Sequence, residues 1–265
     1  MSASDAATGG IATTTDAFHR GGFLVVQPAR GHHRSGLDAM LLAACVEDGF
    51  AGTLADLGAG AGAAGLAVLN RCPKARAVLV ENDPVMGGCL RATLRLEHNA
   101  HLAGRARIVE ADLTATGKAR AAAGLADRHF DRVIANPPFN DPRDRVSPRP
   151  GRASAHVIDA ETMTAWMRTA AAICRPGGRL ALIVRPSMLA HWLSALEGRF
   201  GAIAIRAVHP RTEANANRVL IGAVRGSRAR MTILPSLTVH ANRGHTLTER
   251  AEALTNGRAA LPMSG

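Results

Sequence analysis

The sequence predicts an α/β fold: a mostly parallel sheet with helices on both faces. Three observations carry this. Apolar strand-like runs alternate with helix-like segments through the middle of the chain. One junction, Asp56-Leu57-Gly58-Ala59-Gly60-Ala61-Gly62, reads as strand, glycine turn and helix. Successive strand-like runs finish at Asp56, Glu81, Asp112 and Asn136, which would set four polar groups along one sheet edge. Open α/β sheets bind ligands at that edge.

The elements follow in order. Residues 1–17 are mainly Ser, Ala, Thr and Gly; without a basic start or an apolar stretch they are no secretory signal and are expected to form a flexible N-terminal arm. Gly36 to Glu47 is a helix with Leu37, Leu41, Ala44 and Cys45 on one face. Thr53-Leu54-Ala55 leads into the glycine turn, and Ala63 to Leu69 is the helix after it. Ala77 to Glu81 is a strand, and Pro84 to His98 a helix with proline near its start. A third strand runs from Ala106 to Asp112, then a small-residue helix from Gly117 to Ala126. Phe130 to Ala135 is a buried strand, and the polar, proline-rich stretch from Asn140 to Ala155 is a loop. Ala160 to Cys174 is a helix with Met163, Trp166, Met167 and Ala170 facing its core, stopped by Arg175-Pro176-Gly177-Gly178. Leu180 to Val184 is a strand, Ser187 to Phe200 a helix, and Ala202 to Val208 with Arg218 to Val224 a closing antiparallel pair. Residues 18–226 thus make one domain. Residues 227–265 form a C-terminal appendage with a strand near Leu237, a helix near Thr248 to Leu254, and a loose end.

Composition bounds the function. The 265 residues are 47% apolar, enough for a sizeable core, yet only 3% aromatic with no tyrosine, so Ala, Leu, Val and Ile must build it. The net charge of +11 favours a polyanion, nucleic acid first, as partner. Arg143, Arg145, Arg149 and Arg152 fall in the loop after Asn136-Pro137-Pro138-Phe139, where a phosphate backbone would pass, and Arg34 falls before the glycine turn. Cys45, Cys72, Cys89 and Cys174 are far apart, and the eleven histidines show no ligand spacing, so no metal is expected. Free thiols suit a cytoplasmic protein. No apolar run approaches the ~18 residues of a membrane span.

Asn136-Pro137-Pro138-Phe139 carries the most chemistry. Each proline fixes φ near −65° and holds the preceding residue extended. Neither proline has an N–H, so acceptors outnumber donors there. A stiff pocket offering the Asn136 amide oxygen and the Pro137 carbonyl suits an amino group with two N–H bonds to give. Phe139 offers a flat face for a planar ring, or else is a core residue. The glycine turn resembles Gly-x-Gly-x-Gly more than the dinucleotide fingerprint, and an acid opens it. Asp56 would repel a pyrophosphate but could bind an ammonium directly or through water.

On these motifs the chain resembles class I S-adenosylmethionine-dependent methyltransferases that act on amino groups, with the nearest likeness to the bacterial tRNA1(Val) adenine N6-methyltransferase family. Three stretches extend the likeness: Gln27 to Ala43; His209-Pro210-Arg211 with Arg218 to Ile221; and Leu234 to His240 with His245 to Thr248. It runs from about Phe18 to about Leu254. The resemblance implies a Rossmann-like seven-stranded sheet in the order 3-2-1-4-5-7-6. It implies S-adenosylmethionine held by Asp56, Gly58, Gly60, Glu81 and Asp112, with Glu81 on the ribose and Asp112 on the adenine amino group. Asp112 could equally cap the following segment. Asp38 would contact the cofactor, hold Arg34, or cap its own helix. Asn136, Pro137 and Phe139 would be catalytic, and Arg34, Arg143, Arg145 and Arg149 would bind RNA, with tRNA expected. A monomer and a homodimer both fit.

Related chemistry remains open. A protein glutamine side chain or an rRNA guanine N2 group also presents a planar NH2. The charge favours nucleic acid, and only about fifty residues precede Asp56, fewer than the helical domain that glutamine methylases carry there. A non-catalytic RNA-binding module would not need the Asn136 to Phe139 set, and a nicotinamide oxidoreductase fits poorly with the acid at Asp56.

Overall fold

The apolar runs pair into one central sheet because each is covered on both faces. A computed structural model of the chain describes residues 11–30, 32, 34–138, 159–241 and 244–263. Its strands are β1 (Thr13–Phe18), β2 (Phe23–Pro28), β3 (Thr53–Leu57), β4 (Arg76–Glu81), β5 (Ala106–Glu110), β6 (Phe130–Ala135), β7 (Cys174–Val184), β8 (Phe200–His209), β9 (Arg218–Arg225), β10 (Thr232–Ile233) and β11 (Leu237–Thr238). Its helices are α1 (Leu37–Ala44), α2 (Ala63–Arg71), α3 (Pro84–Arg95), α4 (Ala100–Ala103), α5 (Gly117–Ala122), α6 (Ala160–Ile173), α7 (Leu189–Leu196) and α8 (Glu249–Thr255).

Strands β5, β4, β3, β6 and β7 are parallel neighbours, and β9 then runs antiparallel between β7 and β8. Numbered from β3 as the first, these strands lie in the order 3-2-1-4-5-7-6. The described sheet has nine strands rather than seven, because β10 and β11 both pair in parallel with the outer edge of β8. Alternation along each strand splits the core in two. Leu54, Leu79 and Ile134 face Leu41, Leu66 and Leu69 of α1 and α2. Leu57, Val80 and Val133 face Met163, Met167 and Trp192 of α6 and α7. Caps mark the helix starts: the Asp83 side chain accepts from the Val85 and Met86 N–H groups, with Pro84 in the first turn of α3.

Three expectations need correction. The region assigned to a flexible arm holds β1, which pairs along its length with β2 from Thr13↔Pro28 to Phe18↔Phe23. Its run of β-branched threonines suits a strand, and the Phe18 and Phe23 rings stack 5.5 Å apart across the turn. Arg175-Pro176-Gly177-Gly178 ends α6 but does not precede β7; it forms an irregularity inside the strand, between Cys174, paired with Phe130, and Arg179, paired with Arg132. The first helix ends at Ala44 and the third at Arg95, both short of the expected Glu47 and His98.

The segment after α8 lies across the α1 face. The Leu261 N–H donates to the Ala44 carbonyl at 2.7 Å, Leu261 and Met263 are buried, and Met263 sits so close to Gly222 that an added Cβ would approach its side chain to 2.4 Å. Gly257 packs against the His19 ring in the turn between β1 and β2. His19 Nδ1 accepts from Asn70 Nδ2 at 3.1 Å, and the ring meets Phe23 edge-on. Burial, helped by the nearby Arg71 charge, lowers the His19 pKa to about 4.

A depressed histidine pKa makes folding pH-dependent. The unfolded chain takes up a proton near the ordinary value of about 6.5, whereas the folded one resists until about pH 4. Stability contributed by neutral His19 is complete above that window and is lost as pH falls through it. His19→Asn, which tolerates the left-handed backbone (φ +49°), should show a shallower fall in melting temperature between pH 6.5 and 4 than the parent; parallel curves would remove His19 from the account.

Candidate active site

The glycine turn follows β3 because three glycines there take left-handed backbone: φ is +69° at Gly58, +57° at Gly60 and +92° at Gly62. Gly58 also has a neighbour that forbids a side chain. An added Cβ would stand 2.9 Å from the Trp166 ring, which comes from α6. The turn is thus backed by an indole. Gly65, in the first turn of α2, sets the helix against the sheet: a Cβ there would lie 2.3 Å from Leu79 and 3.1 Å from Asp56 Oδ2.

Asp56 is 2% exposed, and its Oδ2 accepts from the Gly65 N–H at 2.8 Å. It reaches the turn from behind rather than from the open edge. Burial raises its pKa to about 7, partly offset by the Gly65 N–H and reinforced by the Glu81 charge. Glu81, at the end of β4, joins the two turns: Oε2 accepts from the Gly60 N–H at 2.7 Å, and Oε1 accepts from the Asn82 and Asp83 N–H groups. Asp112 is exposed and accepts from the Thr114 N–H and hydroxyl, a local turn rather than a helix cap.

Asn136 follows β6, whose Val133, Ile134 and Ala135 are buried. Its Oδ1 is buried and has no hydrogen-bond partner among the described residues. A buried acceptor left unpaired costs about 1–3 kcal/mol, so this oxygen is poised for a donor from outside the chain. Pro137 beside it is buried and Pro138 exposed, and neither brings an N–H. Phe139, Arg143, Arg145, Arg149 and Arg152 lie outside the described residues.

Two further candidates find other partners. Arg34 does not meet Asp38; it donates to Asp16 Oδ2, to the Thr14 hydroxyl at 2.8 Å and to the Pro28 carbonyl at 2.7 Å, because the β1–β2 hairpin brings these together beside it. Asp38 instead accepts from Arg218 Nε at 2.8 Å. Sequence reasoning assigned Arg218 no role and read Trp166 as a core residue; the spacing of Trp166 with Met163 and Met167 marks its helix face but not the turn it touches. Among the described residues no group of His, Cys, Asp and Glu could hold a metal, and no helix is long and apolar enough to cross a membrane. Cys72, Cys89 and Cys174 are buried and Cys45 half-buried.

The site is therefore a cradle of backbone and acceptors: open glycine backbone, two carboxylates behind it, and an unpaired amide oxygen on the adjoining strand. This fits a nucleoside cofactor that carries positive charge. Two measurements probe it. With its folded pKa raised, Asp56 contributes its stability at low pH and loses it as pH rises from about 4 through about 7. Asp56→Asn should therefore melt progressively higher than the parent as pH rises from 4 to 8, by a few kcal/mol at most; a constant offset would contradict the burial argument. Trp192 is 2% exposed, so cofactor-induced change in indole fluorescence should come from Trp166, surviving Trp192→Phe and vanishing in Trp166→Phe.

Comparison with known proteins agrees with this geometry. The methyltransferase small domain family matches residues 32–211. A tRNA1(Val) (adenine(37)-N6)-methyltransferase of Shewanella amazonensis is 34% identical over 118 residues, covering 44% of this chain and 46% of that protein. One of the same description from Porphyromonas gingivalis is 28% identical over 154 residues, covering 57% and 58%. The matches thus span about half the length of these relatives. The crystal structure of a protein described as a predicted O-methyltransferase, from Agrobacterium tumefaciens, is 42% identical, covers 85% of this chain and 98% of its own, and superposes with a TM-score of 0.74. With its fold, its glycine turn and these relatives in agreement, the chain belongs to the methyltransferase small domain family, and it is a class I S-adenosylmethionine-dependent methyltransferase.

Proposed function

We propose that this chain methylates the N6 amino group of an adenine in RNA, with a tRNA as substrate. The observation that carries this reading is the buried, unpartnered Asn136 Oδ1 beside two prolines that donate nothing. S-adenosylmethionine, when bound, supplies a methyl group on a positively charged sulfur. Gly58 and Gly60 would admit its methionine end, Glu81 its ribose and Asp112 its adenine, while the Asp56 carboxylate adds negative charge from beneath. Occupancy by a cation favours ionised Asp56, so cofactor affinity weakens as pH falls below about 7.

Asn136 Oδ1 and the Pro137 carbonyl would accept the two N–H bonds of the target amino group. That pairing turns the nitrogen lone pair out of the ring's conjugation and toward the methyl carbon. With the methyl group supplied from the sulfonium, which would leave as the neutral thioether, the excess proton on nitrogen would pass to water, so this chain need provide no strong base. Orientation and fixed dipoles do most of the catalytic work. Phe139 would stack on the base, which must be unpaired or flipped out to reach it.

A hydroxyl target, as the description of the Agrobacterium relative implies for that protein, has one proton to give. It would leave one of the two acceptors unpaired, a loss that an amino group avoids. The RNA part of the reading is supported by the +11 charge and by what the Shewanella and Porphyromonas relatives are described as methylating. A cytoplasmic location goes with it.

Incubation with a labelled methyl donor and total RNA from cells lacking the gene, followed by nucleoside mass spectrometry, should yield labelled N6-methyladenosine. Label in protein, or in another nucleoside, would refute the assignment. Asn136→Ala should reduce transfer by about 10²–10³-fold while calorimetry finds cofactor affinity preserved.

A further inference from the structure

A second cleft lies at the same sheet edge, about 330 Å³ in volume. Three stretches distant in sequence build it: the segment before α1 with the first turns of α1, the end of β8 with the turn into β9, and the chain after β11. Its floor is apolar, with Leu41, Val208 and Val239 buried. Its walls carry Arg34, Arg218 and His240, and among the described residues its one acid, Asp38, is paired with Arg218.

We propose that this cleft holds the ribose-phosphate of a nucleotide near the target base in the RNA substrate. The inference rests on the RNA reading above and extends it to a site that reading does not use. Position supports it. β9 opens at Arg218 and pairs with β7 from Val219↔Val184, so Arg218 stands at the carboxyl end of β7. β7 adjoins β6 at Leu182↔Ala135, one residue before Asn136. Two strand spacings, about 10 Å, separate the near wall at Arg218 from the catalytic corner, and the far wall at His240 lies beyond β8 and β11, so the cleft spans the reach of roughly the next one to three nucleotides.

The chemistry agrees. Both guanidinium groups are anchored in advance: Arg34 by Asp16, Thr14 and the Pro28 carbonyl, and Arg218 by Asp38 and, at 2.8 Å, the Asn217 carbonyl. Anchored arginines lose little freedom on meeting a phosphate. Arg211, which follows the lining Pro210, donates to the Gly244 carbonyl at 2.7 Å and ties the second and third stretches together. His240 Nδ1 lies 3.1 Å from the His245 carbonyl oxygen, which can only accept. The neutral ring then carries its acceptor at Nε2, the partner a ribose 2′-hydroxyl needs. Apolar floor, cationic walls and a hydroxyl acceptor together describe a ribonucleotide rather than a peptide.

The test is binding of a fluorescent tRNA transcript to the full chain by anisotropy, across salt. Arg34→Gln should weaken binding about tenfold and reduce the slope of log affinity against log salt by about one. His240→Ala should narrow the preference for RNA over the matching DNA. Asp38→Asn, which removes the one acid lining the cleft among the described residues, should bind RNA more tightly, a gain that misfolding cannot mimic. Cofactor affinity and melting temperature serve as the folding check. If Arg34→Gln and Asp38→Asn bind like the parent while the parent methylates RNA, the cleft assignment falls and the proposed function stands. A parent that neither binds nor methylates RNA overturns both.

Discussion

Helix α2 rests on the sheet at Gly65, and the rest of the site depends on that close approach. No side chain fits there, because Leu79 and Asp56 already occupy the space. The contact lets the Gly65 N–H, in the first turn of the helix, donate to the buried Asp56 carboxylate at 2.8 Å and fixes where the glycine turn begins. Displacing α2 outward by the width of a methyl group would strand the Asp56 carboxylate and pull Gly60 from Glu81. The geometry of the glycine turn is thus a consequence of helix-on-sheet packing.

The molecule separates its charges by depth. Acceptors gather at the site: Asp56, Glu81, the Asn136 amide oxygen and a proline carbonyl. The chain as a whole is strongly basic, with thirty-two Lys and Arg against twenty-one Asp and Glu. Many of the arginines act in structural pairs, as Arg132 does with Glu47 and Arg120 with Asp127. A cationic small molecule and a polyanionic large one can therefore approach the same edge without competing for the same groups.

Much of this was legible in the sequence, for identifiable reasons. Strands β3, β4, β6 and β7 are short apolar runs, and the glycine turn and the double proline leave few conformations open, so the sheet edge could be read locally. Strand β1 escaped because its threonines sit among small residues and only pairing with β2 reveals them. The two-residue β10 carries too little pattern to be seen at all. The same limit applies to side chains. Arg34 lies four residues from Asp38, yet its partner Asp16 comes from across a hairpin, and nothing in the residues around Trp166 tells that it supports Gly58. Local periodicity reports which face is buried; it does not report what waits on the other side.

The segment from Gly257 to Met263 lies over α1. It supplies Leu261 and Met263 to the same cluster as Leu41 and Leu42, and Gly257 to the ring of His19. During synthesis, then, α1 must wait for residues more than 200 positions downstream, Leu261 and Met263, before its apolar side is covered. The sheet's other face, built from residues 55–223, can close sooner. Chaperones that shield exposed aliphatic surface on nascent chains would find their longest opportunity on the α1 face, and the emergence of residues 257–263 would be the event that closes it.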